Sequence, residues 1–178
     1  QQSLPDAKQS PLRVLAVGRL TYYKGFQYLI EAAYQVHNMR LDLVGDGDEA
    51  SRLRRLVDSL GLQDRVTFHG TLEDPDLARL MFDCDCLCLP STERTEAFGM
   101  VLLEAMSFGK ATVVSDVPGS GMGWIVQHEV TGLKTEPANA RALAQSFLLL
   151  DRDRGALDSM GQSGKLRFDQ LFEINHAA

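Results

Sequence analysis

Apolar residues along this chain follow two alternating spacings. Short runs rich in Val, Leu and Cys are followed by stretches in which apolar positions recur every three or four residues. The first spacing reads as buried strands and the second as helices with one apolar face. Leu12-Arg13-Val14-Leu15-Ala16-Val17-Gly18 is the first expected strand. Gly25 to Val36 follows as a helix with Phe26, Leu29, Ile30 and Ala33 on its inner face. Further strands are expected at Leu41–Gly45, Arg65–Gly70, Cys84–Leu89 and Ala111–Ser115, with a weak sixth at Gly132–Lys134. Helices are expected at Glu49–Leu60, Met100–Phe108, 138–150 and 153–171. Pro75–Phe82 reads as a short helix with Asp74 as its cap and Pro75 at its first position. Residues 1–11 read as a leader or linker, 12–171 as one domain and 172–178 as a tail.

Strands alternating with helices at these intervals imply βαβ units, a Rossmann-like doubly wound parallel sheet of about six strands, and helices on both faces. Ligands of such α/β sheets bind beyond the carboxyl ends of the strands. Here those ends carry Gly18-Arg19, Gly45-Asp46-Gly47, Gly70-Thr71, Pro90-Ser91 and Ser115-Asp116. The pattern predicts one cleft, floored by backbone and edged by polar groups.

Composition narrows the partners. Hydrophobic residues are 44% of the 178-residue chain, charged residues 24%, and the formal net charge is −6. The acidic balance argues against nucleic acid as the main partner. No long apolar run and no basic-plus-apolar leader is visible. All three cysteines fall in Asp83-Cys84-Asp85-Cys86-Leu87-Cys88. Their period of two puts them on one face of a strand, and no neighbouring His completes a tetrahedral site. They read as buried, reduced side chains, so a cytoplasmic setting is expected, with the inner face of a membrane as its variant. Arg52, Arg54 and Arg55 form a basic helix face, read as solvated or as a peripheral membrane contact of a larger enzyme.

Two groups of residues carry candidate chemistry. Arg19 and Lys24 flank the first strand-to-helix turn, where a guanidinium fork and an ammonium suit a diphosphate. The second group is Glu96-Ala97-Phe98-Gly99-Met100-Val101-Leu102-Leu103-Glu104, with seven residues between its two acids. Glu104 lies inside an apolar stretch and is expected to be buried with a hydrogen-bonding partner. Gly99 lets a ligand approach the first N–H groups of the helix. Both acids also have ordinary readings: Glu96 as a helix-capping acid and Glu104 as the partner of a nearby cation. His69, at a strand end, reads as a structural histidine. Gly119-Ser120-Gly121-Met122-Gly123 reads as a flexible loop or a turn before a Trp124-Ile125-Val126 helix.

Taken in order, Val17-Gly18-Arg19-Leu20, Lys24-Gly25, Leu43-Val44-Gly45-Asp46-Gly47, Val66-Thr67-Phe68-His69-Gly70 and Glu96 through Glu104 with Ala105-Met106 and Gly109-Lys110 resemble a known family. The chain is similar to the C-terminal, nucleotide-sugar-binding domain of retaining GT-B glycosyltransferases of the large group-1 type, over roughly residues 12–150. The resemblance implies transfer of a sugar from a UDP-, GDP- or ADP-sugar, with no metal or other cofactor, to a glycan or lipid-linked acceptor. It implies that Arg19 and Lys24 hold the pyrophosphate and stabilise the leaving diphosphate. It also implies that Glu96 contacts the transferred sugar, that Phe98, Gly99 and Met100 offer backbone N–H groups, and that Glu104 binds the ribose. Gly18 would lie under the phosphates, and Gly45, Gly47, Thr71 and Leu72 would frame the base. In that family the acceptor site lies in an N-terminal domain, for which 178 residues leave no room. The chain is therefore expected to be a domain cut from a larger enzyme or half of a two-chain enzyme, binding donor weakly and transferring little or nothing alone. Two relatives of the fold are alternatives, a sugar-nucleotide epimerase and a non-catalytic module. A dehydrogenase fits poorly, because the glycine fingerprint after the first strand is missing.

Overall fold

A computed structural model describes residues 9–94 and 99–171. The expected leader and tail fall almost wholly outside that range, as do Glu96 and Phe98. Six parallel strands form one sheet in the order β3-β2-β1-β4-β5-β6. They are β1 (Leu12–Val17), β2 (Met39–Val44), β3 (Val66–Gly70), β4 (Cys86–Leu89), β5 (Ala111–Ser115) and β6 (Gly132–Thr135). The helices are α1 (Phe26–Gln35), α2 (Ala50–Ser59), α3 (Asp74–Asp83), α4 (Met100–Ser107), α5 (Met122–Ile125), α6 (Ala140–Arg152) and α7 (Arg154–Leu171). A single 3-10 turn, Tyr22–Lys24, precedes α1. The doubly wound α/β sheet expected from the pattern is the fold observed.

The reason is two-sided burial. Every residue of β4 and β5 is buried, so neither strand can sit at a half-wet face. Alternate side chains serve different layers. Leu12, Val14 and Ala16 pack with Phe26, Leu29, Leu53, Val57, Leu143 and Phe147, under α1, α2 and α6. Leu15, Leu87, Leu89 and Val114 pack with Met81, Leu102, Met106 and Ile125, under α3, α4 and α5. The last helix joins both layers: Leu157 and Met160 belong to the first cluster and Phe168 packs against the second. Among the described residues no helix is long and apolar enough to cross a membrane.

Several expected boundaries moved. The short third helix begins at Asp74 itself, with Glu73 at the cap position making no side-chain cap bond and Pro75 as the second residue. The helix expected at Trp124-Ile125-Val126 starts earlier, at Met122. The fourth strand begins at Cys86, and Cys84 closes α3, with its thiol 3.3 Å from the Met81 carbonyl. The three cysteines therefore do not share a face. Cys86 and Cys88 lie in the first core layer and Cys84 in the second. Burial pushes the Cys84 thiol up to about 12 and holds those of Cys86 and Cys88 well above their usual value. Thiols kept protonated are poor nucleophiles and poor ligands at neutral pH. All three are thus expected to resist iodoacetamide in the folded chain and to react once guanidinium unfolds it. A fast-labelled cysteine in native protein, counted by mass spectrometry, would contradict this packing.

The basic face of α2 is also partly committed. Arg52 donates to Gln27 Oε1 at 2.6 Å and pairs with Glu49, and Arg54 lies 4.5 Å over the Phe68 ring.

Candidate functional site

The order of the sheet reverses between β1 and β4, and the loops leaving those two strands open a crevice at its carboxyl edge. On the β1 side, Gly18 and Arg19 leave the strand and the 3-10 turn brings Lys24 back over it. A Cβ on Gly18 would lie 3.5 Å from Lys24 Cε and 3.6 Å from its Nζ. Lys24 is half-buried there, with its ammonium 5.8 Å from the Tyr23 ring centroid, whereas Arg19 points into solvent. The loop after β4 is zipped to this turn. Thr92 donates its N–H to the Tyr23 carbonyl at 2.8 Å, and the Tyr22 hydroxyl lies 3.5 Å from Glu93 Oε2. Gly25 makes the approach possible: its φ is +70°, and any Cβ there would collide with the Pro90 carbonyl oxygen.

Gly99 opens α4 on the other bank of the crevice. A Cβ at Gly99 would come within 3 Å of both Leu102 and Leu89, so the helix start is pressed onto β4. Among the described residues no side chain caps the start of α1 or α4, where Gly25 and Gly99 stand at the cap positions and the first N–H groups point out of the helix. Met100, the first residue of α4, is exposed. The N-terminal ends of two helices and the Lys24 ammonium thus place positive potential around one crevice.

The floor is stitched from backbone. Gly18 donates to the Val44 carbonyl at 2.9 Å, Leu20 to Asp46 at 3.0 Å and Gly45 to Gly70 at 2.8 Å. Gly45 packs directly on the Gly18 carbonyl and Gly47 on that of Leu20, which accounts for both glycines by close approach of neighbouring loops. Thr71 is exposed and Leu72 half-buried beyond β3. His69 is held by Asp42 at 2.7 Å, as a structural histidine should be.

Glu104 corrects an expectation. It is exposed, not buried. The helix turns its face with Leu102, Ala105 and Met106 inward, and Glu104 lies opposite Leu102 and Met106 on the helical wheel. It lines a groove of about 250 Å³ with Asp74, Leu77, Ala78, Met81 and Phe108, between α3 and α4. Its carboxylate is therefore available to a ligand without any cost of burial. Of the glycine-rich stretch at 119–123, residues 119–121 form a turn, and Met122 and Gly123 already belong to α5. Arg94, which sequence reasoning passed over, reaches this turn, with its Nε 3.1 Å from where a Gly119 Cβ would sit. Nothing in the local pattern marks Arg94, because the contact joins loops 25 residues apart.

An open parallel sheet with a cation-lined crevice at its switch point defines a doubly wound α/β protein built to bind a ligand at the strand ends. The family follows from comparison with known proteins: residues 4–167 match the model of "Glycosyl transferases group 1". The chain belongs to this family, and its fold is that of the C-terminal domain of GT-B enzymes. It is 32% identical over 162 residues to the O-antigen chain mannosyltransferase C of Escherichia coli, covering 91% of this chain and 43% of that protein. It is 33% identical over 165 residues to the D-rhamnosyltransferase WbpZ of Pseudomonas aeruginosa, covering 93% and 42%. It superposes with a TM-score of 0.87 and 30% identity on Anabaena Alr3699/HepE solved in complex with UDP-glucose, covering 93% of this chain and 46% of that one. The chain thus spans less than half the length of these relatives.

Proposed function

We propose that this chain is the donor-binding domain of a retaining glycosyltransferase that moves a sugar from a nucleoside-diphosphate sugar to a glycan or lipid-linked acceptor. The observation that carries the proposal is Lys24 folded over Gly18 at the switch point, with the glycine-led starts of α1 and α4 on either side. A diphosphate placed there meets an ammonium, the Arg19 guanidinium and the backbone N–H groups of Gly99 and Met100. The Lys24 ammonium and the backbone N–H groups are in place before substrate arrives, so they need little reorganisation as negative charge grows on the leaving diphosphate. In this reading the two cations and helix dipoles carry that charge without a metal. Glu104 accepts hydrogen bonds from the ribose diol, and Glu96 from hydroxyls of the transferred sugar. Thr71 and Leu72 lie beside the base. The acceptor comes from the rest of the enzyme, in an N-terminal domain. The solved relative holding UDP-glucose supports a nucleotide sugar as donor.

Calorimetric titration with UDP, GDP and ADP, with NAD as control, tests the reading. At least one nucleoside diphosphate is expected to bind and NAD is not. The two acids should separate by ligand. Glu104→Ala is expected to weaken the bare nucleoside diphosphate by about tenfold, the loss of one or two hydrogen bonds to a charged group. Glu96→Ala should leave that affinity unchanged and weaken only the nucleotide sugar. Equal losses for both ligands in both variants would refute the division of roles.

A further inference from the structure

We propose that Asp74, the first residue of α3, reads the base of the donor and makes guanine the preferred one, a proposal that rests on the donor-domain reading above. The path of the nucleotide follows from its covalent order. With the diphosphate at the start of α4, the ribose comes next and the base hangs from the ribose. Glu104 stands four residues after Met100, about 6 Å farther along the helix. A ribose on Glu104 therefore delivers its base to the groove that Glu104 lines, between α3 and α4. At about 250 Å³ the groove falls short of the roughly 300–1,000 Å³ of a pocket for a whole ligand, and suits one ring system of a nucleotide. Its far wall is α3, which follows β3 and the Thr71-Leu72 loop already placed beside the base.

The lining sets which base fits. Leu77, Ala78, Met81 and Phe108 give apolar walls, and Phe108 keeps 42% of its surface open, so a flat ring gains contact there. The ionisable groups are Asp74 and Glu104, both acceptors, and among the described residues no cation lines the groove. An occupant must therefore present donors. With Glu104 on the ribose, Asp74 is left for the base. Its backbone is fixed, because Pro75 follows it and the Glu73 carbonyl closes the turn by accepting from Asp76 and Leu77 at 3.1 Å each. A carboxylate accepts two hydrogen bonds side by side. Guanine presents two adjacent donors to match, N1–H and the N2 amino group. Adenine sets its N6 amino group beside the bare N1, and the N3–H of uracil lies between two carbonyl oxygens. Either of these bases turns a lone pair toward the negative charge.

Calorimetry of the chain with GDP, IDP, ADP and UDP tests this. GDP is expected to bind at least tenfold more tightly than ADP or UDP, as a bidentate contact to a base discriminates. Inosine lacks only the N2 amino group, so IDP should bind about tenfold more weakly than GDP through the loss of one hydrogen bond to a charged group. In Asp74→Asn the GDP affinity should fall about tenfold and the ratio of GDP to IDP affinity should approach one. UDP should bind that variant as well as before or better, because its carbonyls no longer face a charge. A merely structural role for Asp74 at the start of α3 would weaken all four ligands alike and overturn the assignment. ADP or UDP bound as tightly as GDP would also overturn it, while leaving the donor-domain reading intact. A guanine preference unchanged in Asp74→Asn would remove Asp74 from base recognition. Failure to bind any of the four would overturn both readings together.

Discussion

Replacing Lys24 by Met is expected to weaken nucleoside diphosphate binding by about tenfold to a hundredfold without lowering the thermal midpoint. The range corresponds to losing a hydrogen bond to a charged group, worth about 1.5–3 kcal/mol. Met keeps the length of the side chain lying over Gly18, so packing is retained and only charge is removed. Arg19→Ala should cost less, about tenfold at low salt, because Arg19 is exposed and its field is screened by water and ions. Raising the ionic strength should shrink the Arg19 effect more than the Lys24 effect. In the complete enzyme the Lys24 change should lower kcat by about a hundredfold or more, since preorganised charge acts most on the leaving group. Calorimetry of both variants at two salt concentrations measures the binding effects. Unchanged affinity in Lys24→Met would remove the diphosphate from this crevice.

The second large effect concerns stability. Gly25→Ala is expected to destabilise the fold by about 3 kcal/mol or more. Two costs combine there. A side chain in the left-handed region costs about 1–3 kcal/mol, and forcing an atom into packed backbone costs a similar amount. The added methyl meets the Pro90 carbonyl oxygen, which belongs to main chain and cannot swing aside. The turn and the β4 loop would have to part, breaking the Thr92-to-Tyr23 hydrogen bond and moving Lys24. For a chain of this size the midpoint should fall by about 6–12 °C. Gly61→Ala is the control. Its φ is +66°, but nothing lies within 4 Å of the added methyl, so only the left-handed backbone cost of about 1–2 kcal/mol remains. Thermal unfolding of the two variants separates close approach from φ. Equal shifts would show that the Gly25–Pro90 contact contributes nothing.

How much of this was legible beforehand depends on the element. Ala111–Ser115 was readable to the residue because an uncharged run with β-branched Thr112, Val113 and Val114 at its centre, bounded by Lys110 and Asp116, has one sensible conformation in an α/β chain. Met100 was readable as a helix start because Gly99 and the apolar stretch after it leave little choice. The fourth strand was misplaced because Cys84-Asp85-Cys86 alternates locally as a strand would. The break comes from partners distant in sequence. Asp85 accepts the Arg13 N–H at 2.7 Å and pairs with Arg154 at 3.5 Å, so regular pairing starts only after it. Glu104 was expected inside because its neighbours are apolar. Which side of an eight-residue helix faces the core is set by what it packs against, and that was hidden.

The alternation of apolar runs and helical spacing was sufficient for the parallel sheet, its two helical layers and the set of strand ends where a ligand belongs. Periodicity acts over a few residues, and burial on both faces of a strand leaves its mark in every position of that strand. The motifs around Arg19, Lys24 and Glu96–Glu104 were likewise sufficient to point to a family. Distances across the crevice were not legible. Lys24 over Gly18, Gly25 against Pro90, Arg94 on Gly119 and Arg167 over Trp124 each join segments that no local rule connects. These contacts exist because the chain's loops are held together by a sheet whose order differs from its sequence, and only folding brings those loops to one edge.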